Sequence, residues 1–402
     1  MSTSFRLTVA GVTAVGLMGG LAVDTAPDAS ATYTEEPSTA ALVAPHVVPP
    51  VSRRARTAKS VLDQMTLRQK VGQLFMVGTP AVGPYGATLA HITRRHVGNI
   101  MLTGRSYGGT SVPARASRLA QARATKAATD RVRLLIATDQ EGGLVQVLQG
   151  RGFSRMPTAL TQGTWRPIRL RRAAGRWAHQ LARAGLNMNL APVEDTVPSR
   201  RAAASNPPIG GFDREFGFRP RIVARHGRAF AAGLSAHGVV PTIKHFPGLG
   251  RVHANTDTST GVTDYATTRH GASITPFARS IKAGVPAVMM STAYYHRIDP
   301  KRPAAFSPRI IHGMLRGDLG FRGVIISDDL GNARQVSPWS YGARAVKFIR
   351  AGGDMVLTVN PTTLPAMYAA VLHRAAHIRH FRHRVNVAAR RILELKQHRG
   401  LL

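Results

Sequence analysis

Short apolar runs rich in Val, Ile, Leu and Met recur along the chain, at residues 71–77, 97–102, 134–137, 186–191, 239–243, 287–291, 324–326 and 355–359. Each is too short for an ordinary helix, and several lack the polar alternation of a half-exposed strand. Strands buried on both faces have this pattern. Stretches with helical spacing lie between them, among them residues 173–184, 221–237 and 341–351. Strand and helix alternating eight times predicts an α/β chain folded as a single-domain (β/α)8 TIM barrel, with a doubly wound sheet as the alternative.

Polar residues at the ends of these runs separate the two. Asp139 and Glu141 follow the third run, Glu194 and Asp195 the fourth, Lys244 and His245 the fifth, and Asp328 and Asp329 the seventh. A barrel assembles its site from the C-terminal ends of several strands, whereas a doubly wound sheet concentrates it at one switch point. The distribution favours the barrel.

The N-terminal sequence carries another pattern. Arg6 precedes an uncharged apolar stretch, residues 7–23, and small residues then lead to Ala29, Ser30 and Ala31. A basic start, an apolar run and a small-x-small site predict a secretory signal over residues 1–31, and so a secreted protein. A membrane anchor is the alternative, weakened by Gly11, Gly16, Gly19 and Gly20. Residues 32–55 are rich in Pro, Ala, Thr and Val and read as a flexible linker, and residues 56–400 show no break and are assigned to the barrel.

Composition narrows the chemistry. The 402 residues contain no cysteine, which excludes disulfides, thiolate nucleophiles, cysteine-ligated zinc, iron–sulfur clusters and a lipidated cysteine. The formal net charge is +34, and only 8 of the 54 basic side chains are lysines. That charge points to an anionic partner, in an exported protein the polymers of the cell envelope, and says nothing about fold. Aromatics are 6% of the chain, and no motif that reads DNA or RNA accompanies the charge, so no specific nucleic-acid role is expected. No P-loop, G-x-S-x-G or strand-led G-x-G-x-x-G occurs.

Asp139-Gln140-Glu141-Gly142-Gly143 suits a loop that approaches a ligand closely and accepts hydrogen bonds from hydroxyls; the plain alternative is a turn that starts a helix. Lys244 and His245 end a buried strand and need polar company, because an unpaired buried charge is costly. A structural ion pair with Asp139 or Asp195 would also meet that need. Asp328 and Asp329 point to opposite faces, since strand side chains alternate, so one can enter the mouth while the other caps the next helix. A carboxylate in the mouth can be a nucleophile at an acetal carbon or a metal ligand, and position alone does not choose. His373, His377 and His380 lie at helical spacing in an Arg-rich segment and read as a solvated face rather than a metal site.

Taken in order, these motifs resemble glycoside hydrolase family 3, and most closely its single-domain bacterial β-N-acetylglucosaminidases. The resemblance runs from Met65-Thr66-Leu67-Arg68-Gln69-Lys70-Val71-Gly72-Gln73-Leu74-Phe75 to residues 390–396. Its markers are residues 139–143, residues 187–192 with Val193-Glu194-Asp195, Asn206-Pro207-Pro208-Ile209-Gly210, and Arg214 with Phe216-Gly217. Residues 244–248, Ile298-Asp299-Pro300 with Pro303-Ala304, and residues 327–330 complete them. The resemblance implies a retaining exo-β-N-acetylhexosaminidase acting on cell-wall or chitin-derived glycans without cofactor or metal. It makes Asp328 the nucleophile, forming a glycosyl-enzyme that water releases. It assigns Asp139, Arg214, Lys244 and His245 to the hydroxyls of the sugar before the cleaved bond.

The chain departs from the family pattern after Gly248. The family's Asp-x-His acid/base dyad falls on Asn255-Thr256-Asp257, so Asp257 stands where the His is expected and Asn255 where the Asp is expected. Leu249 replaces a His, and Leu144 replaces a sugar-contacting Arg. Three readings are open. In one, Asp257 donates the proton, its carboxyl raised from an ordinary value of roughly 3.9 by burial or a neighbouring carboxylate. In another, activity is weak and restricted to good leaving groups, since lost acid/base help costs roughly 10²–10⁴-fold. In the third, the chain is a non-catalytic glycan-binding barrel. The first two are preferred, because Asp328 and most of the sugar-contacting set remain. His253, in the same loop, is a reserve proton donor, and the change at Leu144 leaves a β-glucosidase-type specificity as a further alternative.

Overall fold

Every one of the eight apolar runs contributes a parallel strand in the computed structural model, which describes residues 56–402. In chain order they are β1 (Phe75–Pro80), β2 (Asn99–Thr103), β3 (Leu135–Thr138), β4 (Met188–Asn189), β5 (Val240–Phe246), β6 (Ala287–Met290), β7 (Val324–Ser327) and β8 (Val356–Thr358). The expected signal, residues 1–31, and linker, residues 32–55, lie outside the described residues. The fold is α/β with parallel sheets. One sheet has the order β8-β1-β2-β3 and the other β7-β6-β5-β4. Backbone bonds also run between the edges of the two. Around β3 and β4, the Asn187 and Leu190 amides donate to Ile136 O and Thr138 O at 3.1 and 2.9 Å. Around β7 and β8, the Ser327 amide donates to Met355 O and the Met355 amide to Ile325 O, both at 2.9 Å.

Burial explains the missing polar alternation. All seven positions of β5 are buried, as are all four of β3, β6 and β7. Their faces are covered by helices, notably Pro167–Arg183 and Pro220–Ser235. These two pack closely, with Trp177 and Phe230 ring centroids 5.9 Å apart. At the crossing a Cβ on Gly233 would come within 2.6 Å of Ala174 Cβ.

Two expectations are corrected here. The first apolar run is not one strand, because its first three residues finish helix Leu67–Gln73. A capping box starts that helix: the Gln69 amide donates to Thr66 Oγ1 at 3.2 Å and the Thr66 amide to Gln69 Oε1 at 2.9 Å. His373, His377 and His380 do not share one helix. Leu364–His377 ends at Ile378, whose φ of −119° and ψ of 106° are extended, and Arg379–Gln397 begins after it. The exposed His373 and His377 rings lie 4.4 Å apart, and no group of three potential metal ligands occurs among the described residues. Nor is any described helix long and apolar enough to cross a membrane.

Candidate active site

The C-terminal ends of the strands surround a cavity of about 190 Å³. Met101 of β2, Asp139 after β3, Lys244 and His245 of β5, Met289 of β6 and Asp328 after β7 all reach it. Arg214, Asp257 and Asp329 join them from the connecting loops. Every residue expected to act on substrate, Asp328, Asp257, Asp139, Arg214, Lys244 and His245, therefore borders one space.

Three of these groups, Asp139, Arg214 and Lys244, form a charged network with Glu141, which lies behind the cavity lining. Lys244 Nζ lies 2.6 Å from Asp139 Oδ1 and 2.6 Å from Glu141 Oε1. Arg214 makes a fork on Glu141, with Nε donating to Oε2 and Nη2 to Oε1, both at 2.8 Å, and its Nη1 donates to Pro208 O at 2.7 Å. Burial alone would raise the Glu141 carboxyl, but Arg214 and Lys244 outweigh it and hold Glu141 at about 2. Burial alone would lower the Lys244 ammonium, and Asp139 and Glu141 turn that into a rise. Both cations are held as charged donors at the cavity wall. The ion pair between Lys244 and Asp139 is thus real, and it belongs to the site.

Glu141 is a site residue that the sequence reading left off the binding set. It sits in a hairpin, Gln140–Gly142 paired with Val145–Gln146, rather than at a helix start. Gly142 has φ 112°, and a Cβ there would meet Pro157 O at 2.2 Å. Only glycine tolerates that turn, and the turn brings Glu141 back to Lys244.

His245 is oriented by Asp195, another residue outside the expected set. The ring Nδ1 lies 2.7 Å from Asp195 Oδ2, while the amides of His245 and Leu249 donate to Asp195 Oδ1 at 3.1 and 2.8 Å. The adjacent Glu194 is fully buried and turned away, accepting from Ser280 Oγ at 2.5 Å. Leu249 is buried against the cavity wall, and Leu144 is 60% exposed and does not line the cavity. At neither position does the side chain supply the polar contact of the family pattern.

The two carboxylates after β7 divide their duties. Asp329 Oδ1 accepts from the Gly331 and Val359 amides at 2.8 and 2.9 Å, and its Oδ2 accepts from the Asn332 amide at 3.0 Å. Those bonds tie the turn after β7 to the end of β8. Asp328 Oδ1 accepts only from the Asp329 amide, at 2.8 Å, leaving its Oδ2 without a protein partner among the described residues.

Asp257 stands opposite, on the long loop after β5. The Asn255 side chain does not orient its carboxyl; Asn255 Oδ1 accepts from the Asp257 amide at 2.9 Å and shapes the turn. The loop is held from both sides. The Gln335 amide donates to Thr256 O at 3.0 Å and the Arg334 amide to Asp257 O at 3.1 Å, while Asn206 Nδ2 donates to Leu249 O and Val252 O at 2.9 and 2.7 Å. Burial of its inner side and the charge of Asp328 push the Asp257 carboxyl up to about 6, although the residue is open to water on its outer side. His253 is exposed, bonds to Ser205 O through Nδ1 at 3.1 Å, and does not line the cavity. The loop therefore brings Asp257, and not His253, to the cavity beside Asp328.

Comparison with known proteins agrees with the α/β fold. Residues 66–395 match the glycosyl hydrolase family 3 N terminal domain. A β-hexosaminidase of Stenotrophomonas maltophilia (strain R551-3) is 36% identical over 249 residues, 60% of this chain and 71% of that one. A β-hexosaminidase of Xanthomonas oryzae pv. oryzae (strain KACC10331 / KXO85) is 33% identical over 291 residues, 69% and 81% of the two chains. Among solved structures, the β-N-acetylhexosaminidase of Beutenbergia cavernae DSM 12333 superposes with a TM-score of 0.82 at 51% identity, covering 83% of this chain and 99% of that one. A family 3 β-N-acetylglucosaminidase from Paenibacillus sp. str. FPU-7 gives 0.76 at 32% identity, over 84% and 63%. With the family domain spanning most of its length and the strand-end carboxylates in place, this chain belongs to glycoside hydrolase family 3 and is a glycoside hydrolase.

Proposed function

We propose that this chain is a retaining exo-β-N-acetylhexosaminidase in which Asp328 is the nucleophile and Asp257 the general acid and base. The observation that carries the reading is the pair itself: two carboxylates border one small cavity, and the charge of Asp328 helps raise Asp257 to about 6. Pairs whose surroundings push their protonation apart divide acid and nucleophile roles at near-neutral pH.

In the first step Asp328 attacks the anomeric carbon. The glycosidic C–O bond breaks, the Asp257 proton goes to the departing oxygen, and a glycosyl ester forms on Asp328. In the second step Asp257, now a carboxylate, takes a proton from water as that water attacks the same carbon and frees Asp328. Asp139, Arg214, Lys244 and His245 hold the sugar so that the anomeric carbon meets Asp328, and Glu141 fixes Arg214 and Lys244 from behind. The hexosaminidase specificity rests on the named relatives, 33–51% identical to this chain. The backbone bonds across both sheet edges support reading the two sheets as halves of one (β/α)8 barrel over residues 56–400. The N-terminal pattern supports export, with cell-wall or chitin-derived glycans as substrate and an anionic envelope as the place of action.

Hydrolysis of an aryl β-N-acetylglucosaminide by native protein and by Asp328→Ala tests the reading. Asp328→Ala should lose essentially all turnover while still folding and binding sugar, and native protein should accumulate a glycosyl ester on Asp328 with a slow substrate. Full activity in Asp328→Ala would sink the assignment, and a native protein that binds sugar without turnover would make the chain a glycan-binding barrel. The acid role has a pH signature as well. Asp257 must be protonated for the first step, so kcat/KM on an unactivated glycoside should be high below about pH 6 and fall about tenfold per unit above it.

A further inference from the structure

A belt of unpaired arginines crosses the outer helices, away from the catalytic cavity. Its first cleft, about 970 Å³, lies beside helix Pro167–Arg183 and is lined by Arg171, Arg172, Arg176, Arg183, His179 and His237. A second, about 960 Å³, is lined by Arg219, Arg221, Arg225, Arg228 and Arg279. Neither contains a carboxylate. A cleft of about 930 Å³ between them shares Arg171 with one and Arg228 with the other, so the belt is continuous. The one carboxylate in that middle cleft, Glu394, is already paired with Arg390 at 2.8 Å. None of the three clefts shares a lining residue with the catalytic cavity.

All nine of these arginines are exposed. None makes an ion pair among the described residues. Elsewhere the chain does pair its arginines, as with Arg214 on Glu141, Arg269 on Asp318, and Arg316 and Arg391 on Asp354. Nine neighbouring cations without a counter-charge repel one another, and an anionic ligand relieves that repulsion. Spacing adds to the case. Arg172, Arg176 and Arg183 fall on one helix face, and at about 1.5 Å per residue they form a row roughly 16 Å long. Arginine forks in a row suit a repeated oxyanion, since each guanidinium can bind a phosphate in bidentate fashion. Base-stacking surface is scarce: half-buried Phe153 is the single Phe, Tyr or Trp side chain lining the two outer clefts, and exposed Tyr85, Tyr107, Phe212 and Tyr265 lie outside all three. That argues against single-stranded nucleic acid.

We propose that the belt is a docking site for a linear polymer of the cell envelope that carries repeated phosphate groups, and that it holds the hydrolase beside its glycan. The choice of an envelope polymer rests on the export reading above, but the binding itself is independent of the catalytic chemistry. The test uses the full chain with linear polyphosphate as probe, and affinity is measured against salt. Arg172→Glu/Arg176→Glu/Arg183→Glu is compared with Arg118→Glu/Arg379→Glu/Arg384→Glu, which makes the same change in net charge at exposed arginines outside the belt. The belt variant should bind polyphosphate about tenfold or more weakly at about 0.15 M salt, with the slope of log affinity against log salt reduced by about two or three. The control should change by less than about twofold. Both variants should hydrolyse a small aryl glycoside as native protein does, and absence of hydrolysis in all three would leave the binding result standing. Equal weakening by the two variants would reduce the effect to bulk charge and overturn the proposal. Tighter binding of a mixed-sequence oligonucleotide than of polyphosphate, at equal phosphate concentration, would overturn it in favour of nucleic acid.

Discussion

Glu141 holds the charged network beside the cavity together, because Arg214 and Lys244 both lean on its carboxylate while almost no water reaches it. Removing one partner of such a buried set leaves uncompensated charge, so Glu141→Gln should cost about 3–5 kcal/mol of stability near neutral pH. The pH dependence follows from the sign of the shift. The folded carboxyl, at about 2, lies below its ordinary value of 4.5, so its stabilisation is present above 4.5 and is lost as pH falls toward 2. Denaturation of native protein and Glu141→Gln across that window should show the gap narrowing as pH drops, and a constant gap would contradict the account. At this scale the sequence was only partly legible. Asp328, Asp139, Arg214, Lys244 and His245 could be placed because they end buried strands or carry ordered motifs. Glu141 and Asp195 appeared in the same motifs, but their partners depend on a turn at Gly142 and on the meeting of β5 with the loop after β4, contacts made across long stretches of chain. The state of Asp257 was legible only as a condition, since its rise comes from burial and from Asp328, which lies 71 residues away in sequence.

At the scale of elements, the last helix carries a feature that composition could not reveal. Lys396, near the end of Arg379–Gln397, is fully buried and donates to Gln73 Oε1 at 2.7 Å and Gly98 O at 2.8 Å. No carboxylate offsets its burial, and its ammonium is lowered from 10.5 to about 7. Between those values the unfolded chain binds more protons than the folded one, so this group makes stability rise with pH from about 7 toward 10.5. Tyr295 and Tyr368 are raised above 10 by burial and act in the opposite sense at higher pH. Unfolding measured from pH 7 to 10 should therefore show a positive slope that Lys396→Met flattens; an unchanged slope in the variant would assign it to other groups. Element positions were otherwise readable, because buried parallel strands are short, apolar and bounded. The exceptions have local causes: the capping box of Thr66 and Gln69 takes the first apolar run partly into a helix, and the extended Ile378 splits the histidine-bearing segment.

On the scale of the whole molecule, the proposed barrel depends on its two seams. If it is closed, the amides of Leu190 and Ser327, which donate across them, should exchange with solvent as slowly as those inside the paired strands β1 and β2. Fast exchange confined to the seams would leave two separate sheets. The net charge of +34 pointed from the start to an anionic partner without giving it a place on the surface; the fold sets nine arginines along the outer clefts and places Asp139, Asp257, Asp328 and Asp329 at the catalytic cavity. The central claim is that one strand-end carboxylate attacks while a second, in place of the family's usual histidine, supplies the proton. Its most direct measurement is the kcat/KM of Asp257→Ala relative to native protein on unactivated chitobiose and on an aryl β-N-acetylglucosaminide. The account predicts a loss of roughly 10²–10⁴-fold on chitobiose with the aryl leaving group largely spared. Chitobiose hydrolysis at the native rate by Asp257→Ala would contradict it.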